Sequence, residues 1–204
     1  MEKKVETKLA NCKILFKKMF KNLTKIFIFH LLIILSFSNV FSDEKLISDL
    51  KKGQKIIFIR HAIAPGSGDP ENFNLNDCNT QRNLDYRGIE QSKKIGLFFI
   101  KNDIPIDIVL SSEWCRCKDT AKFAFQNFKT FDALNSFFSP KFQKNKQRQI
   151  IELSKYLNNW QSEKNLILVT HYVVILEKLN KAVSSGEIVV VDKNLNLIGS
   201  IKEY

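Results

Sequence analysis

Histidine and cysteine are scarce in this chain, with three and four copies, and glycine and proline number only seven and four. The shortage of histidine and cysteine closes one class of function. A zinc site needs about four ligands at characteristic spacings, and the sequence offers neither a Cys-x-x-Cys pair nor a histidine cluster, so no metal or other cofactor is expected. Arg-rich or aromatic-interleaved stripes, internal repeats and low-complexity tracts are also missing, which removes nucleic acid from the expected partners. No apolar run reaches the roughly 20 residues of a membrane-spanning helix. At 44% hydrophobic the chain is nevertheless too apolar for a disordered basic tail.

Lysine is what the sequence has in excess, and its placement matters more than its number. Eight lysines from Lys3 to Lys25 precede an apolar run from Ile26 to Phe37, and a short polar passage then ends in Val40-Phe41-Ser42. This order reads as a secretory signal peptide over residues 1–42, cleaved after Ser42, with an uncleaved anchor as the alternative. The basic stretch is long for a leader, and a start at Met19 restores ordinary proportions. Removing eight lysines and two glutamates brings the net charge from +11 to +5, so most of the basicity belongs to targeting. The membrane is then a partner only during export, and the periplasm of a Gram-negative source is the expected destination.

Three cysteines remain beyond the leader, Cys78, Cys115 and Cys117. Cys115 and Cys117 flank Arg116 too closely for an easy mutual bridge, so a bond from Cys78 to one of them is expected in an oxidising compartment. A thiol redox role would rest on Cys115 and Cys117 alone, without a Cys-x-x-Cys motif.

Residues 43–204 read as a single α/β domain. Lys55 to Arg60 and Asn165 to Thr170 are short apolar runs rich in branched residues, the pattern of strands buried on both faces. Ile106 to Leu110 is another strand, Phe131 to Leu134 a brief one, and Ile188 to Val191 with Leu195 to Ile201 a closing hairpin around Asp192-Lys-Asn194. Helix patterns cover Tyr86 to Lys101, with Asp85 as cap and Ile89, Ile95, Leu97 and Phe99 as apolar faces. Others run from Ser111 or Ser112 through Phe128, over Asn145 to Trp160, and over Tyr172 to Leu179. Strands alternating with helices imply a three-layer sandwich: a mostly parallel central sheet with helices on both faces. The loops Ala64 to Thr80 and Phe137 to Lys146 are long enough to read a substrate.

Both histidines beyond the leader directly follow apolar strands, His61 after Ile56-Ile-Phe-Ile-Arg60 and His171 after Leu166-Ile-Leu-Val-Thr170. Ligands of open α/β sheets bind beyond the carboxyl ends of the strands. Arg116 holds the corresponding place after the second strand, Ile106 to Leu110, so Arg60 and Arg116 put two permanent cations beside two imidazoles. Guanidinium groups match phosphate oxygens in pairs, and helix N-termini add donors for the same anion.

These residues resemble the histidine phosphatase superfamily, also called phosphoglycerate mutase-like. Its Arg-His-Gly after the first strand is here Arg60-His61-Ala62. Its Ser-Ser-x-x-x-Arg-x-x-x-Thr-Ala segment is Ser111 to Ala121, its late strand ending in histidine is Thr170-His171, and Arg82 to Gln91 is similar to its Leu-Thr-x-x-Gly-x-x-Gln helix start. The resemblance implies a metal-independent phosphomonoesterase, with His61 as nucleophile forming a phosphohistidine and with Arg60, Arg116 and His171 holding the phosphoryl oxygens. The implied substrate is a small-molecule or cell-envelope phosphate ester. Mutase activity is less expected. Departures are Ala62 for the usual glycine, Tyr172 after the second histidine, and Ala133-Leu-Asn135-Ser136 where many members keep an acidic proton donor. Leaving-group protonation then falls to Asp77, Glu113 or Asp132, or to none of them. A non-catalytic phosphate- or polyanion-binding protein of the same fold is the competing expectation.

Overall fold

Alternation along four strands builds the molecule. In a computed structural model, which describes residues 44–204, strand β1 (Ile56–Arg60) sends Ile57 and Ile59 into one core and Ile56 and Phe58 into another. β2 (Ile106–Ser111), β4 (Asn165–Thr170) and β5 (Ile188–Val191) divide in the same way, Val109, Ile167, Val169, Ile188 and Val190 against Leu110, Leu166, Leu168, Val189 and Val191. Side chains that alternate between faces at period two require a layer on each side. Burying each such aliphatic side chain contributes roughly 1.5–3 kcal/mol. The signal peptide read over residues 1–42 lies outside the described residues, and among the latter no helix is long and apolar enough to cross a membrane.

The sheet order is β3-β2-β4-β1-β5-β6, with β3 Lys129–Thr130 and β6 Leu197–Ile201 at the edges. β1, β2 and β4 run parallel as neighbours, whereas β5 lies antiparallel to both β1 and β6. Helices α1 (residues 44–51), α2 (Tyr86–Lys101) and α3 (Cys115–Phe125) cover one face. The other carries α5 (Lys146–Asn159) and α6 (Tyr172–Leu179), and a short α4 (Pro140–Gln143) precedes α5. The three-layer α/β sandwich read from the sequence is the observed architecture.

The departures have local causes. Neither Ser111 nor Ser112 caps α3, which begins after Trp114, because the Ser111 hydroxyl donates to the Ser112 carbonyl and Ser112 faces His171 and Asn135. α3 ends at Phe125, three residues short of Phe128, where Gln126 turns to φ +65°. Phe131 to Leu134 is mostly a 3-10 turn, Asp132–Leu134, and the brief strand precedes it. Leu195 belongs to the hairpin turn at φ +64°, with Asp192 Oδ1 accepting from the amides of Asn194 and Asn196. On α2, Leu97 faces solvent and the buried stripe is Gly88, Ser92, Ile95, Gly96 and Phe99. The small residues let α2 approach closely: a Cβ on Gly96 would stand 2.2 Å from the Ala124 carbonyl oxygen, and one on Gly88 2.0 Å from that of Ile63.

Candidate active site

Parallel neighbours in register bring their ends together. Arg60 lies opposite Thr170, and the ladder continues one residue further, with the His61 amide donating to the Thr170 carbonyl (2.9 Å) and the Ser112 amide to that of Val169 (2.9 Å). His61 and His171 therefore meet edge to face, ring centroids 5.5 Å apart. The turn after His61 is pinned from two helices: the Ala62 amide donates to Thr120 Oγ1 and the Ile63 amide to Gln91 Oε1, each at 3.0 Å. Thr120 of α3 and Gln91 of α2 thus act as braces for the histidine loop.

His61 is buried, and its Nδ1 lies 2.8 Å from the Ala62 carbonyl oxygen. A carbonyl can only accept, so Nδ1 carries the hydrogen and Nε2 keeps its lone pair. Burial first, then the charge of Arg116, with smaller effects from Arg60 and Arg82, holds His61 well below the usual histidine range, against an opposing contribution from the Ala62 bond. The ring is therefore neutral, in the tautomer that leaves Nε2 nucleophilic.

A chain of three residues sets the tautomer of His171. The Asn135 amide group donates to Glu113 Oε2 (2.6 Å), and its Oδ1 accepts from the Glu113 amide (2.8 Å) and the Ser112 hydroxyl (3.0 Å). With its hydrogen so placed, Ser112 Oγ accepts from His171 Nε2 at 2.9 Å. Burial, then Arg116 and His61, keep His171 neutral as well. Cys117 Sγ sits 3.4 Å from the same nitrogen, and burial pushes its thiol up to about 12. It is a neutral packing group, and Cys115 is bonded to Cys78, so the two closely spaced cysteines form no reactive dithiol.

Three guanidinium groups surround the histidines. Arg60 donates through Nη1 to the Val183 carbonyl (2.9 Å) and lies 5.6 Å from the Tyr172 ring centroid. Arg82 braces the following loop, through Nε to Gly68 O (2.8 Å) and through Nη1 to Ala64 O. Arg116, on the first turn of α3 and 3% exposed, gives both terminal nitrogens to Asp69, Nη1 at 2.6 Å and Nη2 at 3.1 Å. The Nε atoms of Arg60 and Arg116 are buried with no partner among the described residues. Leaving such donors unpaired costs stability unless something else satisfies them. All three arginines, both histidines and Asp69 line one pocket of about 340 Å³. A larger groove of about 680 Å³ lies between α2, β2 and the end of α3, lined by Phe99, Ile106, Val109 and Phe125 among others and by neither histidine nor arginine.

Of the residues expected in the site, Arg60, His61, Arg116 and His171 come together; the three expected proton donors do not line the pocket. Asp77 caps the 3-10 turn Cys78–Thr80 through the Asn79 amide, and Asp132 pairs with Arg148 on the surface. Glu113 is taken by Asn135. Asp69, Arg82 and the role of Asn135 were not legible in the sequence. Asp69 sits in a loop whose path is set by contacts distant in sequence, and nothing in Gly68-Asp69-Pro70 alone points inward.

The disulfide joins Cys78, at the end of that loop, to Cys115, beside Arg116. Closing a loop of 37 residues contributes about 4 kcal/mol by chain entropy. Reduction, or Cys78→Ser, should lower the unfolding free energy measured by urea titration by about that amount. Unchanged stability would mean that the loop is held without the bond.

Acid should destabilise the fold through the two histidines. Their folded pKa values lie below 6.5, so between 6.5 and those values the unfolded chain binds protons that the folded chain refuses. Stability is full above 6.5 and falls as pH drops below it, by up to about 1.4 kcal/mol per pH unit for each histidine. Urea titrations at about pH 7 and about pH 5 measure this loss; equal midpoints would contradict the buried neutral pair.

No protein-family model matches the chain, and no curated protein matches it. Solved structures do resemble it. The protein histidine phosphatase SixA complexed with tungstate is 14% identical at a TM-score of 0.53, over 70% of this chain and 92% of that one. A mycobacterial glucosyl-3-phosphoglycerate phosphatase in complex with VO3 is 11% identical at 0.50, covering 69% and 93%. The protein TTHB049 of Thermus thermophilus is 15% identical at 0.50, covering 74% and 99%. The chain shares their fold.

Proposed function

We propose that this protein is an exported phosphomonoesterase that hydrolyses a small-molecule or cell-envelope phosphate ester through a phosphohistidine on His61. The observation that carries the reading is the tautomer of His61: with Nδ1 fixed on the Ala62 carbonyl, the Nε2 lone pair is free in a pocket lined by three arginines. Attack of Nε2 on phosphorus forms the N–P bond and expels the alcohol, and water then releases phosphate, the two-step course of nucleophilic catalysis. The unpartnered Nε donors of Arg60 and Arg116 suit the phosphoryl oxygens, and fixed cations stabilise the charge gathering there with no metal required. Tungstate in one of the similar structures and VO3 in another agree with a phosphate pocket.

Export is supported by the basic and apolar order of residues 1–42 and by the Cys78–Cys115 bond, since such bonds persist in oxidising compartments. We place the mature domain at residues 43–204.

One observation favours the non-catalytic alternative: Asp69 already occupies both terminal nitrogens of Arg116. Purified protein with p-nitrophenyl phosphate and vanadate separates the readings. Turnover inhibited by vanadate is expected; vanadate binding without turnover would establish the binding protein instead.

A further inference from the structure

The phosphatase reading leaves the departing alcohol without a proton source, because Asp77, Glu113 and Asp132 all lie away from the pocket lining. Among the described residues, Asp69 is the only carboxylate on that lining. It comes from the loop after β1 and is held by four donors: Arg116 Nη1 and Nη2, Trp114 Nε1 (3.2 Å) and the Arg82 amide (3.2 Å). Resting on the phosphatase reading, we propose that Asp69 is the general acid, taking up a proton as a phosphate ester claims Arg116 and giving it to the leaving oxygen.

The charged and titratable groups facing Asp69 are Arg116 and Cys117 of α3 and Arg82 ahead of α2. Before an ester binds, burial opposes its ionisation, but the hydrogen bonds and charge of Arg116 outweigh that and hold the carboxyl below its ordinary value. A phosphoryl dianion competes for the same fork and adds like charge beside the carboxylate, and both changes favour the protonated acid. Cys117, a neutral thiol, offers no compensating charge. Trp114 Nε1 and the Arg82 amide do not depend on Arg116 and keep the acid in the pocket after the exchange.

The step balances. The lone pair of His61 Nε2 forms the N–P bond while the P–O bond to the alcohol breaks; the pair of that bond passes to the leaving oxygen, which takes the Asp69 proton. In the second half water attacks phosphorus and returns a proton to the Asp69 carboxylate. The N–P pair goes back to His61, and phosphate departs.

The test is the dependence on leaving group. Asp69→Asn should lose about 100-fold or more in kcat/KM on a simple alkyl phosphate, the scale of general-acid catalysis. On p-nitrophenyl phosphate, whose anion leaves unaided, the loss should stay below about tenfold. Equal losses on both esters, with the variant folded by near-ultraviolet circular dichroism, would overturn the assignment. Should the variant fail to fold, the unsubstituted protein gives the answer across a series of aryl phosphates. A nearly flat kcat/KM against phenol acidity is expected, and a steep fall towards weaker acids would overturn it. Radiolabelled phosphate on His61 distinguishes the two levels: no label brings down the phosphatase reading and the acid with it, whereas label with equal losses brings down the acid alone.

Discussion

Replacing His61 by alanine should lower kcat/KM for p-nitrophenyl phosphate by more than about 1,000-fold, since the substitution removes the nucleophile and leaves only binding and charge stabilisation to assist water. The fold should survive. His61 is buried and neutral, so its loss strands no charge, and the surrounding loop keeps its ties to Thr120 and Gln91. Steady-state kinetics beside a urea titration reads both quantities. Activity within tenfold of the parent would mean that another group attacks phosphorus.

Arg116→Ala is expected to act on two properties at once. Kinetically it removes a planar donor from the phosphoryl pocket, a change of about 100- to 1,000-fold in kcat/KM. Thermodynamically it strands the Asp69 carboxylate, because the Arg116–Asp69 pair has side chains only 4% and 15% exposed. Breaking a buried pair by removing one partner costs about 3–5 kcal/mol, most of it the burden of the unpaired ion. The double substitution Arg116→Ala with Asp69→Asn should therefore recover most of the stability and none of the activity on p-nitrophenyl phosphate, whose anion leaves without the Asp69 proton. Recovery of activity along with stability would show that Arg116 serves the fold alone.

Much of this architecture was legible in the sequence, for a physical reason. Strands buried on both faces, such as those holding Phe58 and Leu168 in their apolar runs, have a composition that few other environments tolerate, and Asp85 as the cap of α2 is a local device. The strand-end histidines followed from the same logic, since a parallel sheet brings the ends of neighbouring strands to one edge. What could not be read depended on contacts between distant segments. Ser112 looks like a helix cap until Asn135 and His171 are placed around it, and Asp69 is an ordinary loop aspartate until Arg116 and Trp114 arrive. The short spacing of Cys115 and Cys117 left the partner of Cys78 open; the fold brings Cys115 to it and buries Cys117 against His171.

The tautomers matter as much as the residues, and both are set by backbone or side-chain partners rather than by the histidines themselves. The Ala62 carbonyl fixes His61, and the Glu113–Asn135–Ser112 chain fixes His171.

The most direct measurement is rapid quenching of the protein with radiolabelled phosphate ester, followed by mapping of the label. Acid-labile, alkali-stable label on His61, absent from His61→Ala, is the expected result. Turnover without label on His61, or label on any other residue, would contradict it.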